Sequence, residues 1–127
     1  MNNPNLIAKT SGSLREAFGV SVTKIAKINK KIVLLDGDLA GGTGAHHFLK
    51  KYPDRFFQCG IAEQNMMSVS AGMASMGLIP FATTFAVFAL RAFEQARLSI
   101  SYLDLLYFLH YFDQFSYTLV PHIVILC

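Results

Sequence analysis

The stretch Phe57-Gln58-Cys59-Gly60-Ile61-Ala62-Glu63-Gln64-Asn65-Met66-Met67 decides how the rest of the chain is read. It opens as a short apolar strand, turns at a glycine and enters a helix with one carboxylate in its first turn. Gly60 supplies the turn, because a residue without Cβ lets the backbone reverse at no steric cost. The helix is predicted over Ala62 to about Met76, with Ala62, Met66, Val69, Met73 and Met76 spaced for one apolar face. Glu63 is the only charged residue between Arg55 and Arg91. The residues alone leave two readings open. A first-turn Glu interacts favourably with the helix dipole, for about 0.3–1 kcal/mol, and Gln64 and Asn65 can satisfy orphan N–H groups beside it. Alternatively, a carboxylate isolated in so apolar a stretch is a working group.

Upstream, Met1 to Thr10 reads as an extended lead-in, with Pro4 opposing helix. Ser11 or Ser13 can cap a helix running to about Asn29. Leu14, Phe18, Val22 and Ile25 give it an apolar stripe, and its lysines gather toward the C-terminal end, as the dipole prefers. Lys31-Ile32-Val33-Leu34-Leu35-Asp36 is a continuous apolar run ending in acid, the pattern of a parallel strand covered on both faces. Gly37-Asp38-Leu39-Ala40-Gly41-Gly42-Thr43-Gly44 is then a glycine-rich loop at that strand's C-terminal end, the edge where ligands of open α/β sheets bind. A short helix is predicted from Ala45 to Tyr52, closed by Pro53, and a second strand from Arg55 to Cys59. Downstream of the central helix, which is rich in small residues, Gly77 is followed by a third strand over Leu78 to Ala82. A further helix is predicted from Phe85 to about Tyr102. The alternation of helix and strand predicts an α/β fold, a parallel sheet flanked by helices.

Composition bounds the function. The 127 residues make one domain, large enough for a core. A hydrophobic content of 53% with 15% charged residues excludes a disordered chain. The net charge of +3 is scattered, apart from Lys24, Lys27, Lys30 and Lys31. Without an RNA-binding or zinc-finger pattern, that cluster reads as a solvated helix face, and no nucleic-acid partner is expected. Cys59 and Cys127 lack metal-ligand spacing. Cys59, in an apolar strand, is expected to be a buried thiol, which fits a cytoplasmic compartment. The N-terminus MNNPNLIAKT lacks the regions of a signal peptide, and no apolar run reaches the length of a membrane span.

Taken singly, the other motifs are weak. GDLAGGTG lacks the Walker Lys and the spacing of a dinucleotide fingerprint, and by itself is a glycine-rich turn. Phe85 and Phe88, three residues apart, share one helix face and would ordinarily be core. Arg91 and Glu94 can pair across one turn on the surface, for about 0.2–0.5 kcal/mol. His46 and His47 are adjacent in a helix and are expected to point different ways, as a partly exposed, unspecialised pair.

In order along the chain, GIAEQNMM (60–67) and SAGMASMGLIPFATTFAVF (70–88) resemble the pyrimidine-binding domain of transketolases. The likeness is nearest to transketolases split into two polypeptides, at the start of the second, and covers roughly Leu14 to Tyr102. It implies thiamine diphosphate as cofactor. Glu63 would hydrogen-bond a ring nitrogen of the aminopyrimidine and favour the imino tautomer that removes the thiazolium C2 proton. Asp38 and Leu39 would line the site, and Phe85 and Phe88 would stack around the aminopyrimidine. Asp36 receives no role from the resemblance. Relative to family stretches with Gly before the Arg, Arg91-Ala92-Phe93-Glu94-Gln95 is one residue short, which rotates the downstream residues by about 100° and puts a third aromatic contact in doubt. The family holds Mg²⁺ and the diphosphate through a GDG motif in another domain, whereas here Gly37-Asp38 is followed by Leu. The resemblance therefore implies an N-terminal diphosphate-binding transketolase subunit as partner, in a homodimer or a dimer of heterodimers. The reaction implied is transfer of a two-carbon ketol unit between sugar phosphates. A deoxyxylulose-phosphate synthase shares GIAEQ, but NMM and TTFAVF fit transketolase better. A truncated, non-catalytic interaction module and a membrane-associated protein using its apolar tail are the alternatives from other classes.

Composition changes after Tyr102. Residues 103–127 contain no Lys, Arg or Gly and only Asp104 and Asp113 as acids. The expectation is a pyrimidine-binding domain over 1–102 and, over 103–127, an apolar tail from a shifted reading frame or broken gene, leaving the domain incomplete. As an authentic tail, Leu103 to Phe112 would be more helix and Tyr117 to Leu126 a strand broken by Pro121.

Overall fold

The computed structural model describes residues 13–101 and 108–112. The lead-in 1–10 and most of the tail 103–127 fall outside the described residues. The elements are α1 (Leu14–Ile28), β1 (Ile32–Asp36), α2 (Ala40–Thr43), α3 (His46–Lys51), β2 (Phe56–Gln58), α4 (Glu63–Ser75), β3 (Ile79–Phe85), α5 (Ala86–Ala89), α6 (Phe93–Gln95) and β4 (Phe108–Phe112). The sheet is parallel with strand order β2-β1-β3-β4. Asp36 stands beside Gln58 on one side and Thr83 on the other, and Phe85 beside Phe112. The expected α/β sandwich is present.

All five residues of β1 are buried. Val33 and Leu35 pack with Met66, Met67 and Ala71 of α4 and with Ala82 and Ala92. Ile32 and Leu34 pack on the other face with Val22, Ala26, Ala45 and Phe48. Successive side chains of a strand point to opposite faces, so one run of apolar residues serves two helical layers.

Several expectations are corrected. The stripe Leu14, Phe18, Val22, Ile25 is not the buried face of α1, whose buried residues are Gly19, Val22 and Ala26. The point of closest approach sets the helix rotation: a Cβ on Gly19 would lie 2.0 Å from the carbonyl oxygen of Gly44. On α4 the buried residues are Glu63, Met66, Met67, Ser70 and Ala71, while Val69 and Met76 are exposed. That helix is apolar on most sides, so periodicity could not select a face. The glycine-rich loop contains the helical turn α2, closed at Gly44 with φ +81°. The long helix predicted over Phe85 to Tyr102 is broken: β3 runs on to Phe85, and α5 is followed by a 3₁₀ turn at Leu90–Ala92, then α6, then a wide turn at Ala96–Ser101. Cys59 lies just beyond β2 and is half-buried. Burial, then the Asp36 charge, push its thiol pKa up. Phe108–Phe112 is a strand paired to β3 and not a continuation of helix.

Candidate functional site

In a parallel sheet of order 2-1-3-4 the chain leaves β1 in opposite directions, and the crevice lies at the carboxyl ends of β1 and β3. Asp36, the loop Gly37-Asp38-Leu39, Gln58, the N-terminus of α4 and the Thr83-Thr84-Phe85 end of β3 converge there.

Asp36 organises the loop side. It is fully buried. Its Oδ2 accepts the Leu39 N–H at 2.9 Å and the Gln58 Nε2–H at 3.3 Å. The Thr83 hydroxyl lies 3.0 Å from both Oδ1 and the Leu35 carbonyl. Gln58 Oε1 in turn accepts the backbone N–H of Asp38 at 3.1 Å and of Gly60 at 3.0 Å. One amide thus ties the loop after β1 to the turn before α4. Asp38 has φ +66°, a left-handed conformation that Asp tolerates better than most residues. Asp38 is exposed and Leu39 half-buried. The sequence had one signal for Asp36, an acid closing a wholly apolar strand, but its acceptors' partners are far apart in the chain.

The other side is aromatic and carries the carboxylate. Glu63 is the first residue of α4 and only 4% exposed. Arg91 places a guanidinium nitrogen 3.8 Å from Glu63 Oε2 and its guanidinium carbon 5.2 Å from the Phe88 ring centre. Arg91 therefore pairs with Glu63 and not with Glu94 as expected. Phe88 stacks with Phe85, centres 5.9 Å apart and planes 21° from parallel. Gly42 lies against that pair, since a Cβ there would come 2.9 Å from Phe85 Cζ. Thr84 Oγ1 is buried with no hydrogen-bond partner among the described residues, a state that ordinarily costs about 1–3 kcal/mol. Sequence reasoning missed Thr84, Gln58 and Arg91. Asp38, Leu39, Glu63, Phe85 and Phe88 all gather at this edge. The arrangement offers a shielded carboxylate, two ring faces and a spare hydroxyl, which suits a flat heteroaromatic group with polar nitrogens.

His46 and His47 do not diverge: their ring centres are 4.1 Å apart, and His47 bonds Glu16.

The family model described as transketolase, pyrimidine binding domain, matches residues 11–110. The chain is 46% identical over 85 residues to Transketolase-like protein 2 of Mus musculus, covering 66% of this chain and 14% of that protein. It is 40% identical over 100 residues to the putative transketolase C-terminal section of Methanocaldococcus jannaschii, covering 76% of this chain and 32% of that one. Among solved structures it is similar to a split gene transketolase described as an inactive beta4 tetramer, with a TM-score of 0.69 and 50% identity, covering 76% of this chain and 33% of that chain. The chain thus spans a third or less of the length of these relatives.

Proposed function

The chain belongs to the transketolase pyrimidine-binding domain family, and from that we propose that it forms the pyrimidine wall of a thiamine diphosphate site completed by a second chain. That partner, an N-terminal diphosphate-binding transketolase subunit, would hold the diphosphate and Mg²⁺. The assembly, built from dimers, would move two-carbon ketol units between sugar phosphates. It would work in a reducing cytoplasm, where the Cys59 thiol stays free.

The residues fit the pyrimidine half of the cofactor. When bound, thiamine diphosphate supplies a carbon nucleophile able to take up the ketol unit. Glu63 would hold a proton against a pyrimidine ring nitrogen, a charge-assisted hydrogen bond strengthened by exclusion of water. Phe85 and Phe88 would lie against the ring, and Thr84 Oγ1 offers its unused hydrogen bond at the same strand end. Asp38 and Leu39 would close the loop side, fixed by the Asp36–Gln58 bonds. The observation that carries this reading is the burial of Glu63 at the switch-point edge beside Arg91 and the Phe88 ring.

The test is calorimetry with thiamine diphosphate and Mg²⁺, on the chain alone and mixed with the N-terminal section of a split transketolase. The chain alone is expected to bind weakly or not at all, and the mixture to bind the cofactor and transfer ketol units. Micromolar, magnesium-dependent binding to the chain alone, or an inert mixture, would overturn the proposal.

A further inference from the structure

α1 meets the turn that leads into α3 through two glycines, Gly19 on α1 and Gly44 at the end of α2. A Cβ on Gly19 would lie 2.0 Å from the Gly44 carbonyl oxygen and 3.0 Å from His47 Cδ2, and a Cβ on Gly44 would come 2.2 Å from the Arg15 carbonyl oxygen. Backbone contact at this range fixes the two helices, and with them the side chains that flank the glycines. Those side chains are Glu16 on α1 and His46 and His47 at the start of α3.

We propose that Glu16, His46 and His47 form a binding site for a divalent cation of the zinc class. One ligand atom from each residue lies within 4.8 Å of the other two, and all three residues are half-buried, so an ion has both a cage and an entry. Glu16 Oε2 and His47 Nε2 stand 2.5 Å apart, within hydrogen-bond distance. A zinc ion between them would need the pair to open to about 3.3 Å, the spacing of tetrahedral ligands at about 2.0–2.1 Å. Rotamer adjustment of half-exposed side chains supplies that. The ion would take the place of the His47–Glu16 hydrogen bond, each atom turning its lone pair to the metal. His46 Nδ1 lies 3.3 Å from the Ala40 carbonyl oxygen. The tautomer that donates this bond keeps its lone pair on Nε2, and a backbone acceptor behind the ring is the usual orienting partner of a metal-bound histidine. Two imidazoles and one carboxylate select zinc or nickel over magnesium, and leave a fourth position for water. The bound ion would clamp α1 to α3. The site needs neither thiamine diphosphate nor a partner, so it stands apart from the proposed function.

The test is equilibrium dialysis of the full chain against zinc chloride with excess Mg²⁺ present. The expected result is about one zinc per chain with a dissociation constant on the order of 10 µM. Glu16→Gln and His46→Ala should each weaken binding by about tenfold or more, with thermal midpoints in EDTA close to that of the wild type. X-ray absorption at the zinc edge of the wild-type chain should show nitrogen and oxygen neighbours only, and it decides the matter even if a variant does not fold. Absence of zinc uptake, uptake unchanged in folded variants, displacement by Mg²⁺, or sulfur from a cysteine in the shell would each overturn the proposal.

Discussion

Asp36 and Thr84 show how two polar side chains at the end of one parallel pair divide the work. Asp36 is fully buried and its oxygens accept from three groups. Asp36→Ala removes both oxygens and leaves the Leu39 N–H and the Gln58 amide without their acceptor. The expected cost is about 1–3 kcal/mol of unfolding free energy, read by urea denaturation, and a loss below about 0.5 kcal/mol would contradict the network. Thr84 is the opposite case, a buried hydroxyl with no partner among the described residues. Thr84→Val removes that unsatisfied group at nearly constant shape, so the unliganded chain is expected to be as stable or slightly more stable. A loss above about 1 kcal/mol in the same measurement would mean that the hydroxyl has a structural partner. The Glu63–Arg91 pair is weaker than its position suggests, because the Arg91 side chain is 60% exposed. Solvent screening limits such a pair to about 1 kcal/mol or less.

Among the elements, glycines carry the sharpest contrast. Gly44→Ala places a Cβ within 2.2 Å of backbone at φ +81°. Strain and overpacking together should cost about 2–4 kcal/mol. Gly72 lies inside α4, and a Cβ there meets nothing within 4 Å, so Gly72→Ala should stabilise the chain by about 0.5–1 kcal/mol. Thermal melts of both variants check the pair, and equal shifts would contradict the packing described. The same contrast explains how much of the fold could be read from sequence. The strand Ile32–Asp36 and the helix at Glu63 were readable, since an unbroken apolar run and a glycine turn before a lone carboxylate are local signals. The buried faces of α1 and α4 were not, because backbone approach at Gly19 and the packing of Met66 and Met67 set them, not bulk at helical spacing. The broken path after Phe85 was not legible either, as no Gly or Pro marks its breaks. Glu63, Phe85 and Phe88 were readable as a motif series, whereas Gln58 and Arg91 join the site only through contacts distant in sequence.

At the scale of the molecule, the exposed apolar side chains Ile61, Met76, Val87, Leu90 and Phe93 lie on the segments downstream of β2 and β3. A contiguous apolar surface marks a contact face, and under the proposed function these segments would meet the partner chain. Sedimentation of the purified chain is expected to show self-association that rises with concentration, and a strictly monomeric chain would contradict this. Under the proposed function, Glu63 would act on a cofactor shared with a diphosphate-binding partner. The most direct measurement is the ketol-transfer rate of the reconstituted assembly carrying Glu63→Gln, with circular dichroism confirming an unchanged fold. The rate is expected to fall about 10²–10⁴-fold, the usual worth of a positioned proton-handling group. A rate within about twofold of wild type would contradict it.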